Sequence, residues 1–199
     1  MKMQIRHGKQ KEHEVINTGL DMYLEARKSF YKFEEEEKEM NEKLREMVPE
    51  MFKTGNLNTV CISFEAGYWR KANAIHKWFV DNCQRGEDDC REAYVGRNQL
   101  IELRDLCNEV LQKSKVEISK VKNGYELTKD GKKKYNYIEA RTIKNPEVAS
   151  ELLPTQSGFY FGYTDYDEWY LSDLEDTIEI IDKCLKLPES WEFYYHSSW

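Results

Sequence analysis

The stretch Ser63-Phe64-Glu65-Ala66-Gly67-Tyr68-Trp69-Arg70-Lys71-Ala72-Asn73-Ala74-Ile75-His76-Lys77-Trp78-Phe79-Val80-Asp81-Asn82-Cys83 decides how this chain is read. At helical spacing, Tyr68, Ala72, Ile75 and Phe79 fall on one face, and Trp69, Ala72, His76, Phe79 and Cys83 on the adjacent one. Ser63 stands where an N-cap would accept from the first free amides. The spacing predicts a helix from about Phe64 to Cys83. A helix apolar round so much of its circumference packs on more than one side, so this one belongs at the centre.

Working outward, the flanks alternate between the two periodicities. Leu20, Met22 and Leu24 alternate with Asp21, Tyr23 and Glu25, as in a half-buried strand. Phe33, Met40, Leu44, Met47 and Met51 recur at helical spacing behind the acidic run Glu34–Glu37, with Pro49 interrupting near the end and Thr54-Gly55-Asn56 as a loop. A polar turn around Gly86 leads to a helix over Arg97–Lys113, marked by Leu100, Leu103, Cys107, Val110 and Leu111. Residues 115–142 contain Asn123-Gly124 and Asp130-Gly131, both tight-turn dipeptides, and read as a basic β-hairpin or three-stranded excursion. Asn145-Pro146 opens a short helix to Leu153. Gly158–Gly162 is a strand or extended loop, and Thr164-x-x-Asp167 resembles a capping arrangement before the last helix. That helix carries Leu171, Leu174, Ile178, Ile181 and Leu185 as one stripe, and Pro188 stops it. Trp191, Phe193 and Tyr195 alternate in a closing strand. The expected fold is α+β, with three long helices packed on a small, mainly antiparallel sheet. Residues 1–18 read as an N-terminal extension and 19–199 as a single α+β domain.

Composition narrows the function classes. The 199 residues are 34% charged and 13% aromatic, enough apolar surface for a core and against disorder. No apolar run is long enough for a transmembrane helix, and no apolar h-region follows the basic start Met1–His7, so a soluble cytoplasmic protein is expected. Five cysteines without a CxxC pair fit reduced thiols better than a disulfide framework or a metal site. The net charge of −7 disfavours nonspecific nucleic-acid binding, yet Lys113–Lys144 holds ten basic against four acidic residues, net +6, leaving −13 for the rest.

No G-x-S-x-G, H-E-x-x-H, Walker loop or G-x-G-x-x-G is present. The strongest polar cluster is Arg70, Asn73 and Lys77 on one helical face, with His76 beside it and Tyr68 and Trp69 nearby. Arg forks onto phosphate or carboxylate, Asn both donates and accepts, and His shuttles protons, so a nucleotide-sized site is one reading. Solvated cations around a hydrogen-bonded core histidine is the other. A second cluster, Asp165, Tyr166, Asp167, Glu168, Trp169 and Asp173, offers paired carboxylates for acid–base or metal chemistry, or simply caps a helix. The aromatic end Trp191–Trp199 serves base stacking or edge-strand packing. Lys120, Lys122, Lys129 and Lys132–Lys134, interleaved with Tyr125, Tyr135 and Tyr137, suit phosphate contacts, or a hairpin charged against edge pairing.

Four motifs stand together: Gly19-Leu-Asp-Met-Tyr-Leu24, Tyr68-Trp-Arg-Lys-Ala-Asn-Ala-Ile-His-Lys-Trp-Phe79, Leu152-Leu-Pro-Thr-Gln-Ser-Gly-Phe159 and Thr164-Asp-Tyr-Asp-Glu-Trp169. In these the chain resembles a family of small, uncharacterised proteins encoded by bacteriophages and prophages. The resemblance implies phage origin, expression in a bacterial cytoplasm, and an added extension before Gly19. It brings no cofactor and no assigned site residues. Phage accessory proteins of this size often act on a host factor, so the first expectation is a non-enzymatic binder of a host protein or nucleotide signal in counter-defence. The alternatives are a small nucleotide-acting hydrolase or transferase using His76 and Arg70, and a nucleic-acid binder using the 113–144 segment. The expected ligand surface lies where the central helix (Tyr68, Arg70, Asn73, His76, Lys77) meets Tyr163, Asp165 and Trp169.

Overall fold

The computed structural model describes residues 19–31, 38–53 and 59–199. In chain order it runs β1 (Asp21–Tyr31), α1 (Lys38–Met47), α2 (Pro49–Lys53), β2 (Thr59–Arg70), α3 (Asn73–Cys83), β3 (Ala93–Val95), α4 (Arg97–Lys113), β4 (Val116–Leu127), β5 (Lys133–Ile143), α5 (Glu147–Leu152), α6 (Glu168–Leu185) and β6 (Glu192–Ser198). The α+β mixture and the antiparallel pairing are as expected. The helix count is not: among the described residues there are six helices, and only α4 and α6, with 17 and 18 residues, are long.

The largest correction falls on the opening stretch. Residues 59–70 are strand, and the helix starts only at Asn73. Thr59, Val60, Ile62, Phe64, Tyr68 and Trp69 are β-branched or aromatic, types that favour a pleated surface. β2 pairs antiparallel with β1 from Asp21↔Arg70 to Tyr31↔Thr59, with a register shift at Leu24/Glu25. Gly67 packs so closely on α6 that an added Cβ would come within 2.5 Å of Ile180. Lys71, at φ 63, turns the chain from strand into helix. A helix through this point would forfeit both the pairing and that turn. Ser63 is accordingly no N-cap; its hydroxyl donates to Glu25 across the sheet.

The four-stranded sheet has the order β2-β1-β6-β3, antiparallel at each pairing. Period-2 alternation aims Met22, Leu24, Ala26, Phe193 and Tyr195 at one face, where α3, α4 and α6 cover them. Leu100, Leu103, Cys107 and Val110 of α4, and Leu171, Leu174 and Ile181 of α6, close the core at 1% exposure or less. Ile178 and Leu185 of the same stripe pack at its margin. Pro49 does end the first helical run, separating α1 from α2. Phe33, Glu34–Glu37, the Thr54–Asn56 loop and the N-terminal extension lie outside the described residues. No described helix is long and apolar enough to cross a membrane.

β4 and β5 form a separate two-stranded sheet. Its turn is at Asp130-Gly131; Asn123-Gly124, expected as a turn, is instead a bulge where the register shifts between Lys122 and Tyr125. Pro146 occupies the N-cap position of α5, not its first turn, and residues 158–162 form a turn, not a strand.

Candidate functional site

The cleft of about 830 Å³ lies where three parts of the chain meet. The β2–α3 junction supplies Arg70, Lys71, Asn73 and Ala74. The bulged half of the hairpin supplies Lys122, Asn123, Gly124, Tyr125 and Lys133. The third side is the 155–173 segment with Thr155, Phe159, Tyr160, Gly162, Tyr163 and Asp165, and the start of α6 with Asp167, Trp169, Tyr170 and Asp173.

The junction is clamped by backbone hydrogen bonds. Lys71 N donates to Leu20 O (2.7 Å) and Asn73 N to Lys71 O (2.8 Å). The Asn73 side chain reaches across to the 155–163 loop. Its Nδ2 donates to the carbonyls of Phe161 (3.0 Å) and Tyr163 (2.9 Å), and its Oδ1 accepts from Gln156 N (3.0 Å). Asn73 is thus a loop clamp with its amide largely satisfied. Gly162, at φ 88, sits against Lys71, and a Cβ there would come within 3.2 Å of the Lys71 Cβ. A non-glycine residue at positive φ costs of order 1 kcal/mol and persists only where its surroundings hold it. Here that residue is a cation on the cleft rim.

The opposite wall is held by polar contacts. Ile143 N donates to Tyr166 O (2.9 Å), and Arg141 forks onto Glu168 (2.6 Å) and Glu175 (2.6 Å). Beside Arg141 the Glu168 carboxyl is held below its ordinary range, and the guanidinium is pushed up by the same contacts. Lys122 Nζ donates to Asp165 (2.7 Å), which raises the lysine's pKa, and lies 5.6 Å from the Tyr163 ring centre. Lys133 sits 4.4 Å above the Tyr125 ring. Trp169 Nε1 donates to Lys122 O (3.4 Å).

The floor is different again. Asp167 is the N-cap of α6: Oδ1 accepts from Trp169 N at 3.0 Å. Burial raises its pKa against the opposing pull of the Trp169 amide. Asp173, one and a half turns on, is pushed up to about 8 by burial, with Asp176 and Asp167 adding to it.

Of the eight residues singled out in the sequence, Arg70, Asn73, Tyr163, Asp165 and Trp169 line this cleft, and Tyr68, His76 and Lys77 do not. Arg70 is ion-paired with Asp21 at 3.7 Å, and the Tyr68 hydroxyl donates to the same carboxylate on the outer sheet face. Lys77 pairs with Asp81 one turn along α3 (2.6 Å). His76 is fully buried, with Nε2 3.0 Å from Asp88 Oδ2 and Nδ1 2.7 Å from the Tyr195 hydroxyl. In the tautomer whose Nε2–H donates to the Asp88 carboxylate, Nδ1 accepts from the Tyr195 hydroxyl. Burial holds the Tyr195 phenol well above its ordinary pKa, so it stays a neutral donor. His76 is therefore a pin between α3, the 84–92 loop and β6, and is withdrawn from the candidate site.

The sequence reading missed Lys71, Phe159, Tyr160 and Tyr170, and treated Lys122, Tyr125 and Lys133 as a separate nucleic-acid feature. It weighed Asp167 and Asp173 only as one acidic cluster. One signal was present: Asp173 shares a helical face with Tyr170, Leu174 and Thr177, all buried, and an acid beside them is an anomaly. Burial pushes the Cys83 thiol up to about 12 and Cys184 to about 11, so neither is a thiolate nucleophile at neutral pH. No group of three or more His, Cys, Asp or Glu side chains suited to a metal ion occurs among the described residues.

Compared with known proteins, the chain matches no family model, no curated protein and no solved structure.

Proposed function

We propose that this chain is a non-enzymatic binding protein whose cleft holds a nucleotide. The observation that carries the reading is the composition of that cleft. Arg70, Lys71, Lys122 and Lys133 stand around a space walled by Tyr125, Phe159, Tyr160, Tyr163 and Trp169. Cations hold phosphate, and ring faces stack on a base. The volume lies in the range of small-molecule sites, about 300–1,000 Å³. The withdrawal of His76 into the core removes the residue on which the hydrolase or transferase reading rested. Together with the resemblance to phage proteins, this supports a phage accessory protein that sequesters a host nucleotide signal in the bacterial cytoplasm as a counter-defence.

Isothermal titration with mono-, di- and cyclic dinucleotides tests the reading. Binding at micromolar Kd is expected, weakened at least tenfold by Arg70→Ala combined with Lys133→Ala. Absence of heat with every nucleotide at millimolar concentration contradicts it, as does turnover of any of them.

A second reading keeps one observation of its own. Lys129, Lys132 and Lys134 are exposed at the hairpin tip, away from the cleft lining. A single-stranded nucleic acid gripped there would show binding that falls steeply with salt and survives Arg70→Ala.

A further inference from the structure

The cleft's rim and floor have opposite chemistry. The rim is cationic, whereas the floor at the start of α6 presents oxygen acceptors. Asp167 is only 3% exposed; Oδ1 caps the helix, and Oδ2 is buried with no hydrogen-bond partner. Asp173 also lines the cleft and is half-buried there. Its own backbone carbonyl is taken by the Thr177 hydroxyl (2.6 Å). A buried acceptor without a donor is costly, and few such atoms survive in folded proteins unless something else satisfies them. The cations on the rim do not do so: Lys122 is already on Asp165, and Arg70 on Asp21.

We propose that the floor selects a nucleobase bearing an exocyclic amino group, of adenine or cytosine type, whose two N–H bonds donate to Asp167 Oδ2 and to the Asp173 carboxyl while the phosphate lies towards Arg70, Lys71 and Lys133. This rests on the nucleotide reading above. An amino group has two N–H bonds, one for each carboxyl. The ring nitrogen beside it in adenine and cytosine is an acceptor, which matches the O–H that Asp173 retains near neutral pH. A base with an oxo group at that position turns a lone pair towards the buried Asp167 oxygen and leaves it unpaired. Sites built on buried hydrogen-bonding groups reject the analogue that cannot pair with them far more strongly than apolar pockets reject a size change.

Matched ligands test this on the intact chain: AMP against IMP, and CMP against UMP, each pair differing in an amino or an oxo group. AMP and CMP should bind at least tenfold tighter than their oxo partners. Asp167→Asn retains a competent N-cap, because Asn caps as well as Asp, so the fold survives while the free acceptor is exchanged for a mixed amide. Asp167→Asn and Asp173→Asn should each bring the amino and oxo ligands to within about twofold, with the thermal melt confirming a folded protein. Nucleotides that bind with no preference, or a preference retained in both variants, overturn the inference and leave the nucleotide reading in place. No binding of any of the four at millimolar concentration removes the nucleotide reading and the inference with it.

Discussion

The two walls of the cleft are held by different forces. The β2–α3 wall is an extension of the core. Trp69, Ala72, Ile75 and Phe79 lie behind Arg70, Lys71 and Asn73 at 3% exposure or less, and Phe79 stacks on Tyr195 with ring centres 4.0 Å apart. The hairpin wall has almost no core behind it. Only Val121 and Ile143 are buried in β4 and β5, while Ile118, Leu127 and Tyr137 are more than half exposed. Its attachment is mostly polar: Arg141 on two glutamates, Lys122 on Asp165, the Trp169 indole on Lys122 O, and bonds from Thr142 and Ile143 to Tyr166 O. One wall is therefore rigid for as long as the protein is folded. The other is fixed by partly solvated ion pairs, which salt weakens and which open locally. A ligand meets a preformed face on one side and an adjustable one on the other.

Removing the core backing should have the largest effect. Phe79→Ala deletes a fully buried ring stacked on Tyr195 and should cost about 3–5 kcal/mol in denaturant unfolding. That loss should be global and reach the hairpin wall only through unfolding. Next comes the floor. Asp173 holds its proton up to about 8 when folded and up to about 4 when unfolded, so the native state binds more protons between those values. Stability should therefore fall as pH rises from about 4 to about 8 and level off above, opposite in sign to the contribution of Glu168, which is lost in acid. Asp173→Asn should flatten that slope and raise stability at pH 8 by about 1–3 kcal/mol, a figure reduced from the full shift because solvent reaches the side chain. Chemical unfolding across pH reads both effects.

The hairpin attachment should respond more weakly and only locally. Arg141→Ala should cost about 1 kcal/mol, since its partners are partly exposed. Amide exchange should quicken in β4 and β5 while β1 and β6 keep their protection. Global loss of protection would show the hairpin to be part of the core after all. The smallest effect belongs to Lys71. Lys71→Gly relieves a positive φ and should stabilise by about 0.5–1 kcal/mol in thermal unfolding, while weakening binding of an anionic ligand.

The same contrast governs what could be read beforehand. α4 and α6 were legible because one apolar stripe is consistent over 17 and 18 residues, and α6 also has a side-chain cap at its start. The alternation of Leu20, Met22 and Leu24, and of Phe193 and Tyr195, was legible for the same reason. The second half of the central helix, Asn73–Cys83, was legible too, but residues 64–72 were not, because Tyr68, Ala72, Ile75 and Phe79 satisfy a helical period by accident across a strand–helix junction. The true start of α3 has no side-chain cap to announce it, and the break is a lysine at positive φ, which no composition rule marks. Arg70, Asn73 and Trp169 were picked for their chemistry, and the fold does set them around one cleft. His76 was picked for the same reason and is buried, because nothing local shows that Asp88 and Tyr195 close on its ring from distant parts of the chain. The part played by Lys122 and Lys133 depended on where the hairpin folds back, a long-range property absent from its own residues.

The central claim is that one ligand bridges both walls. Amide and indole chemical-shift mapping of the full chain during titration with AMP tests it most directly. The account predicts that the Trp169 indole and the amides of Lys71, Asn73, Lys122 and Tyr125 shift together with one binding curve. Saturation with shifts confined to the exposed hairpin tip around Lys129–Lys134, or with the Trp169 indole unmoved, would contradict it.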